Sequence, residues 1–372
     1  MTDNLELKKI KHIYIHIPFC LRNCTYCSFF KINYSLPKKE EYIKILLHEI
    51  DLYLALFEIQ PKTIYFGGGT PSLLNRSEIM KILSKFDLQS CSEITLETNP
   101  IQVNSKFIND FSNTPVNRIS LGIQSLNDCE LTILGRLHRT KDIGKILDIL
   151  RENDFDNISF DLMYGLPNQT VQNVENSVKK MLEYSPDHFS IYCLSLENDV
   201  PLFKEKENIP NDKIVSEMYS MLVTTLEKNK YIQYEISNFA QKGFESKHNL
   251  SYWNNKNYLG IGAGASGYIN NIRYTNPENL EIYQDNIKNK IIFSNQELLS
   301  KNIQEKEFIF LQLRKIQGLN LSEYESRFNN KFLKKYETII QKLSDFLIIS
   351  NGFIKLTPNS YFISDEIFSE FF

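Results

Sequence analysis

Tyr14 to Phe30 reads YIHIPFCLRNCTYCSFF, and within it Cys20, Cys24 and Cys27 fall inside eight residues. The run leading in, HIYIHI (His12–Ile17), alternates with period two and is rich in β-branched and aromatic residues, the pattern of a strand. The strand therefore delivers the chain into a loop of three thiols. A cube of four irons is usually held by four thiolates, so a loop supplying three leaves one iron open to another ligand. Tyr26, between the second and third cysteines, is placed to shield one flank of such a cluster, and burial of this kind tunes potential. A zinc knuckle is the competing reading. Zinc wants a fourth ligand, and the nearby residues offer only His12 and His16, both on the preceding strand.

At 372 residues the chain can bury a large core, and its length suggests about two domains. With 42 Lys+Arg against 45 Asp+Glu, the net charge of -3 gives no electrostatic footprint for nucleic acid and limits any membrane role to peripheral association. Met1 to Lys11 has no apolar core of signal-peptide length, and no run approaches the roughly 18 apolar residues that span a bilayer. A cytoplasmic location is expected. Cys91, Cys129 and Cys193 stand apart from the cluster, which fits a reducing compartment better than a disulfide framework.

Outward from the loop, residues 39–57 place Ile43, Leu46, Leu47, Ile50, Leu54 and Phe57 on one helical face. KTIYF (62–66) reads as a strand running into Gly67, Gly68, Gly69, Thr70 and Pro71. The alternation continues with strands at 93–97, 118–122, 157–161 and 188–194 and helices at 77–85, 105–111, 127–134, 141–152, 171–184 and 212–228. Six strand-then-helix units predict a parallel sheet that right-handed crossovers curl into a barrel or partial barrel. Chemistry in such barrels sits at the C-terminal strand ends. Here the thiols follow strand one, the glycines strand two, Glu97 ends strand three, Gln124 follows strand four and Asp161 ends strand five.

Near residue 287 the pattern changes, dividing the chain into 1–286 and 287–372. Helices are expected over 297–316 and 334–349 with a shorter one between, then a hairpin over 352–364 turning at Pro358, Asn359 and Ser360. That order suggests a winged-helix-like module. Ten basic and ten acidic residues from 296 to 372 argue for a structural or partner-docking role over DNA binding.

Several residues carry more than one reading. Gly67 to Gly69 let backbone approach a ligand closely, favouring contact with an amino acid moiety, or simply make a tight turn. Glu97 can accept from a ribose or an ammonium, or pair with Arg118. Arg136 can clamp a carboxylate, or be a solvated charge beside His138 and Arg139. HNLSYW (His248–Trp253) offers an imidazole for haem iron and two aromatics for a macrocycle, or three core side chains. Gly260, Gly262 and Gly264 form a GxGxG run, but no Rossmann-like strand precedes it.

Taken together, CLRNCTYC after YIHIPF, then YFGGGTPSLL, LETNP, NRISLGIQS, LGRLH, DLMYGLPNQT and YEISNFA resemble the radical S-adenosylmethionine superfamily, in its oxygen-independent coproporphyrinogen oxidase-like branch. The resemblance runs in order from about Tyr14 to Tyr268, and the C-terminal module is similar to that branch as well. It implies an α/β fold, a partial (βα)6 TIM-like barrel with a winged-helix-like C-terminal module. It also implies a 4Fe-4S cluster on Cys20, Cys24 and Cys27, with S-adenosylmethionine chelating the open iron through its amino and carboxylate groups. Tyr14, Gly68, Gly69, Thr70, Glu97, Gln124, Arg136 and Asp161 match cofactor positions of the family, and Tyr26 joins them from the loop. An electron from the reduced cluster would split the sulfonium to a deoxyadenosyl radical, chemistry that belongs to the cofactor.

Within the branch the resemblance implies one of two functions. One is oxidative decarboxylation of coproporphyrinogen III; the other is a haem chaperone that delivers haem to acceptor proteins such as respiratory enzymes. Ser28 and Phe29 stand where the oxidases carry a further cysteine, and HNLSYW is similar to an HNxxYW motif associated with haem in the chaperones. The chaperone is therefore expected, with oxidase activity absent and His248 as haem ligand. Ser266 stands where relatives often have a histidine, which leaves His248 as the main candidate. The implied partners are haem, haem-accepting proteins and an electron donor, with no nucleic acid.

Overall fold

Period-two alternation sorts the side chains of the central strands. On β1 (Ile10–Ile17) the side chains of Ile13, Ile15 and Ile17 are fully buried in the main apolar core, whereas His12, Tyr14 and His16 point the other way. The computed structural model describes residues 9–372. The same division runs through β2 (Ile59–Gly68), β3 (Glu93–Thr98), β4 (Arg118–Gln124), β5 (Ile158–Tyr164) and β6 (His188–Cys193). Pairing keeps like with like: Ile13 lies beside Ile64 and Ile64 beside Ile94, while Tyr14 lies beside Tyr65 and Glu97 beside Ser120. One face is therefore apolar and covered by helices, and the other is a polar interior. Every residue of β4 is buried, as expected for a parallel strand covered on both sides.

With β7 (Ile232–Glu235), β8 (Asn238–Ala240) and β9 (Leu259–Ile261) the sheet has nine strands in the order β9-β1-β2-β3-β4-β5-β6-β8-β7. β9 through β6 are parallel, and β8 and β7 turn antiparallel at the far edge. The six strands expected from the sequence are all present and form consecutive neighbours, an open, partial barrel. β9 was not expected. It lies inside the glycine run, whose glycines serve packing rather than a dinucleotide. A Cβ at Gly260 would overlap the Ser266 carbonyl, and one at Gly262, where φ is +103°, would overlap the Tyr42 hydroxyl and lie 2.7 Å from His16 O.

Helix α1 (Leu36–Leu56) grips this edge through Glu49. Its fully buried carboxylate accepts from the Gly262 amide at 2.8 Å, the Tyr283 hydroxyl at 2.6 Å and the Asn276 side-chain amide at 2.7 Å. Burial pushes that carboxyl up to about 7 against the pull of these donors.

The C-terminal module is helical with a small three-stranded sheet, and it departs from expectation in detail. The expected helix over 334–349 stops at Lys342, and Leu347–Ser350 is a strand paired with Phe353–Leu356, which also pairs with Leu319–Asn320. The hairpin turns at Asn351–Gly352 and not at Pro358–Ser360, which is a single 3-10 turn. Asn351 at φ +50° and Gly352 at φ +78° supply the two left-handed residues that a two-residue hairpin turn demands.

These two glycines separate strain from packing. Nothing lies within 4 Å of a Cβ at Gly352, so Gly352→Ala is expected to cost about 1–2 kcal/mol, the left-handed penalty alone. Gly262→Ala adds overlap with a packed core and is expected to cost about 3 kcal/mol or more. Urea unfolding of both variants checks this; equal midpoints would count against the packing account.

Candidate functional site

The C-terminal ends of β1 to β6 surround a cavity of about 420 Å³. Cys20, Cys24, Tyr26 and Cys27 line it from the loop, with Gly68, Gly69 and Thr70 from the end of β2. Glu97, Gln124, Arg136 and Asp161 complete its polar wall. A groove of about 570 Å³ elsewhere has only His138, Asp142 and Lys145 as ionisable lining, so size alone does not mark the site.

The loop is pinned by backbone. Thr25 donates from its amide to Leu134 O at 3.2 Å and from its hydroxyl to Ile133 O at 2.7 Å, and its carbonyl accepts from the Leu202 amide at 2.9 Å. The sulfurs are approached by protein donors: Thr70 Oγ1 lies 3.6 Å from Cys20 Sγ and Arg136 Nη1 3.4 Å from Cys24 Sγ. Burial pushes the Cys20 and Cys27 thiols up; the Thr70 hydroxyl at Cys20 and the Lys31 ammonium at Cys27 oppose it. The three thiols line the same cavity. A cluster with one iron per thiolate uses three such donors and leaves one iron open.

Glu97 Oε1 accepts from the Tyr65 hydroxyl at 2.7 Å and Oε2 from the Gly68 amide at 3.2 Å. Burial pushes its carboxyl up to about 7, with Asp161 adding to the rise and Tyr65 opposing it. No ion pair joins it to Arg118 among the described residues, so that alternative is not realised. Asp161 accepts from Ser120 Oγ at 3.1 and 3.3 Å, and burial raises it as well. Gln124 closes β4 at φ +68°, where the register with β5 shifts, and this strained backbone turns its side chain to the cavity wall.

Three readings change. The glycines are needed by the fold itself: a Cβ at Gly67 would lie 2.8 Å from the Tyr14 ring, one at Gly68 2.6 Å from the His16 ring, and one at Gly69 2.8 Å from the Pro18–Phe19 backbone. Gly68 and Gly69 still line the cavity, but their amides are engaged with Glu97 and Ile17. Arg136 is neither a solvated charge nor a free fork, because its guanidinium donates to Gly122 O and to Cys24 Sγ. Tyr14 is not among the cavity-lining residues; it stacks on Tyr65 with ring centroids 6.1 Å apart and its hydroxyl is 3.0 Å from His16 Nδ1.

His248 lies elsewhere. Its helix α2 (Lys247–Trp253) starts against Glu93, the first residue of β3, whose carboxylate accepts the Lys247 and His248 amides at 2.9 Å each. That is the strand end away from the cavity. The imidazole is 1% exposed, with Nδ1 2.7 Å from Thr63 Oγ1 and Nε2 2.8 Å from the Tyr252 hydroxyl. For His248 to serve as a haem ligand, one of these two bonds must open. Tyr252 packs edge-on to Tyr258 and Trp253 stacks with the Arg314 guanidinium at 4.6 Å, and both line a groove of about 240 Å³ together with Tyr258 and Tyr268. Tyr65 and Ser120 are site residues that the sequence reading missed. Counting by twos back from Gly67 and from Gln124 would have placed both on the inner face.

Comparison with known proteins bears on this geometry. Residues 14–181 match the Radical SAM superfamily and residues 299–363 the HemN C-terminal domain. A protein named Heme chaperone HemW from Lactococcus lactis subsp. lactis (strain IL1403) is 36% identical, with 98% of each chain covered. The chain belongs to the HemN-like branch of the radical SAM superfamily. Heme chaperone HemW from Bacillus subtilis (strain 168) is 33% identical over 97% of this chain and 99% of its own. The fold is that of coproporphyrinogen III oxidase (HemN) from Escherichia coli, at a TM-score of 0.85 and 21% identity over 97% of this chain and 90% of that one. The family implies use of S-adenosylmethionine and a 4Fe-4S cluster. Among the described residues no helix is long and apolar enough to cross a membrane.

Glu97 gives a pH test. Native protein holds its proton to about 7, against 4.5 for an unperturbed carboxyl, so between those values the folded state binds more protons and stability falls as pH rises. Glu97→Gln is expected to make the urea midpoint less dependent on pH across this window, with Glu49 supplying a remaining slope of the same sign. An unchanged slope would remove the assignment.

Proposed function

We propose that this chain is a haem chaperone that holds a 4Fe-4S cluster on Cys20, Cys24 and Cys27 and S-adenosylmethionine in the cavity beside them. The observation that carries the cofactor reading is the meeting of three thiols, two carboxylates and Arg136 in one cavity. The chaperone reading is supported by full-length similarity to proteins named heme chaperone HemW. It is also supported by the cavity wall beyond Cys27, where Ser28 and Phe29 bring no fourth thiol. When bound, the reduced cluster supplies the electron that cleaves the sulfonium.

The protein's own part is to position and shield. Glu97, held by Tyr65 and Gly68, faces the cavity as an acceptor for a ribose hydroxyl or an ammonium. Asp161, steadied by Ser120, is a second acceptor in the same cavity. Arg136 places a cation against Cys24 Sγ, where it offsets thiolate charge. Tyr26 is half-buried, lines the cavity from the loop and covers one flank. His248 has no free nitrogen, so the haem reading does not rest on it. The proposal includes a cytoplasmic location, haem-accepting proteins and an electron donor as partners, no nucleic acid, and a division of the chain at residues 286 and 287. Coproporphyrinogen III oxidase is the second reading, favoured by the shared fold with HemN.

Three measurements check this. Cys24→Ala is expected to abolish anaerobic reconstitution of the iron-sulfur chromophore; full iron retention would refute the ligand set. Haem titration is expected to reach one haem per chain with a Soret band, and absence of binding would end the chaperone reading. Reconstituted protein given S-adenosylmethionine, reductant and coproporphyrinogen III is expected to yield no protoporphyrinogen, whereas catalytic turnover would establish the oxidase.

A further inference from the structure

We propose that His248 is a positioning residue for the cavity carboxylate Glu97, acting through the ring of Tyr65. The inference rests on the S-adenosylmethionine reading for its consequence and on geometry for its content. Tyr65 joins two ends of the barrel. Its hydroxyl donates to Glu97 Oε1 at 2.7 Å at the cavity, and its ring stacks on the His248 imidazole with centroids 5.1 Å apart and planes 30° apart. The Tyr14 ring stacks against it as well, at 6.1 Å and 24°.

The imidazole is itself held on three sides. Glu93 accepts the amides of Lys247 and His248 and so fixes the first turn of the helix. Thr63 Oγ1 sits between two imidazoles, 2.7 Å from His248 Nδ1 and 2.9 Å from His12 Nδ1. One hydroxyl proton serves two nitrogens, so one imidazole must donate to the oxygen while the other accepts from it, which ties the tautomer of His248 to that of His12. Tyr252 closes the chain at Nε2. Burial lowers both imidazoles well below the ordinary histidine range, keeping the chain His12–Thr63–His248–Tyr252 neutral. A flat, uncharged ring locked by hydrogen bonds at both nitrogens is a fixed backing for Tyr65. Without it the phenol regains rotational freedom and Glu97 loses its shortest donor. The aromatic helix below the barrel thus aims a carboxylate above it.

The test is a double-mutant cycle in the full chain, read two ways. In protein with reconstituted cluster, His248→Leu and Tyr65→Phe are each expected to weaken S-adenosylmethionine binding about tenfold, the scale of one hydrogen bond to a charged group. The double variant is expected to be no weaker than either alone, because both remove the same interaction. His248→Phe, which keeps a flat ring, is expected to recover most of the affinity. His248→Asn, which keeps a polar group and lacks the ring, is expected to behave as His248→Leu and serves where the leucine variant folds poorly.

The second readout is the titration midpoint of the Glu97 carboxyl in cluster-free protein, followed by infrared difference spectroscopy with Glu97→Gln identifying the band. It is expected to rise in His248→Leu and in Tyr65→Phe alike, since the ionised form loses a donor. Asp161 and Arg118, the other charged groups facing Glu97, are unchanged in these variants. Additive losses, or a midpoint unmoved by His248→Leu, would overturn the proposal. Failure of the wild type to bind S-adenosylmethionine would sink the cofactor reading, and the midpoint would still decide the positioning role.

Discussion

The constraint on which everything else rests is the pleat of six adjacent parallel strands. Because successive side chains point to opposite faces and parallel pairing keeps them in register, polar residues form ladders across the interior while aliphatic residues form the outer layer. Glu97, Ser120 and Ser159 are one such ladder, and Tyr14, Tyr65, Thr95 and Arg118 another. A shift of one residue in β3 or β5 would bury a carboxylate under a helix, and a shift in any of the six would turn an isoleucine into the cavity. Fold and site are thus fixed by the same parity. Acids in such an interior cost free energy, and hydroxyl or amide donors offset that cost at Glu97 and Asp161, while Glu235 at the sheet edge also has Arg314 3.7 Å away.

What the sequence made legible follows from the same physics. The strands were readable because burial on both faces leaves short runs of β-branched and aromatic residues between turn signals, and the cavity was readable because its residues sit where those runs end. The three-residue strand at Leu259–Ile261 was not, since a short strand inside a glycine run carries no period. At the C-terminal hairpin Pro358 is the more conspicuous turn residue but closes only a 3-10 turn, whereas Asn351–Gly352 is the stronger signal for a two-residue turn. Arg136 and the glycine triplet were seen as ligand groups, and their demands from the fold became visible only when Gly122 O, Tyr14, His16 and Phe19 were placed around them.

HNLSYW is the clearest case of a motif whose meaning depends on its place. As a string it offers an imidazole and two aromatic planes. In the fold the imidazole is enclosed, and one aromatic is spoken for by a guanidinium and the other by a tyrosine edge. The segment lies at the barrel end where stability is usually found, while the thiols occupy the end where chemistry is usually found.

The way the cysteine loop is anchored has a further consequence. Its ties to the barrel include the backbone and hydroxyl of Thr25 as well as the Thr70 and Arg136 donors at the Cys20 and Cys24 sulfurs. Backbone and sulfurs are thus held from the same rim of the barrel, so a shift of that rim carries the sulfurs with it.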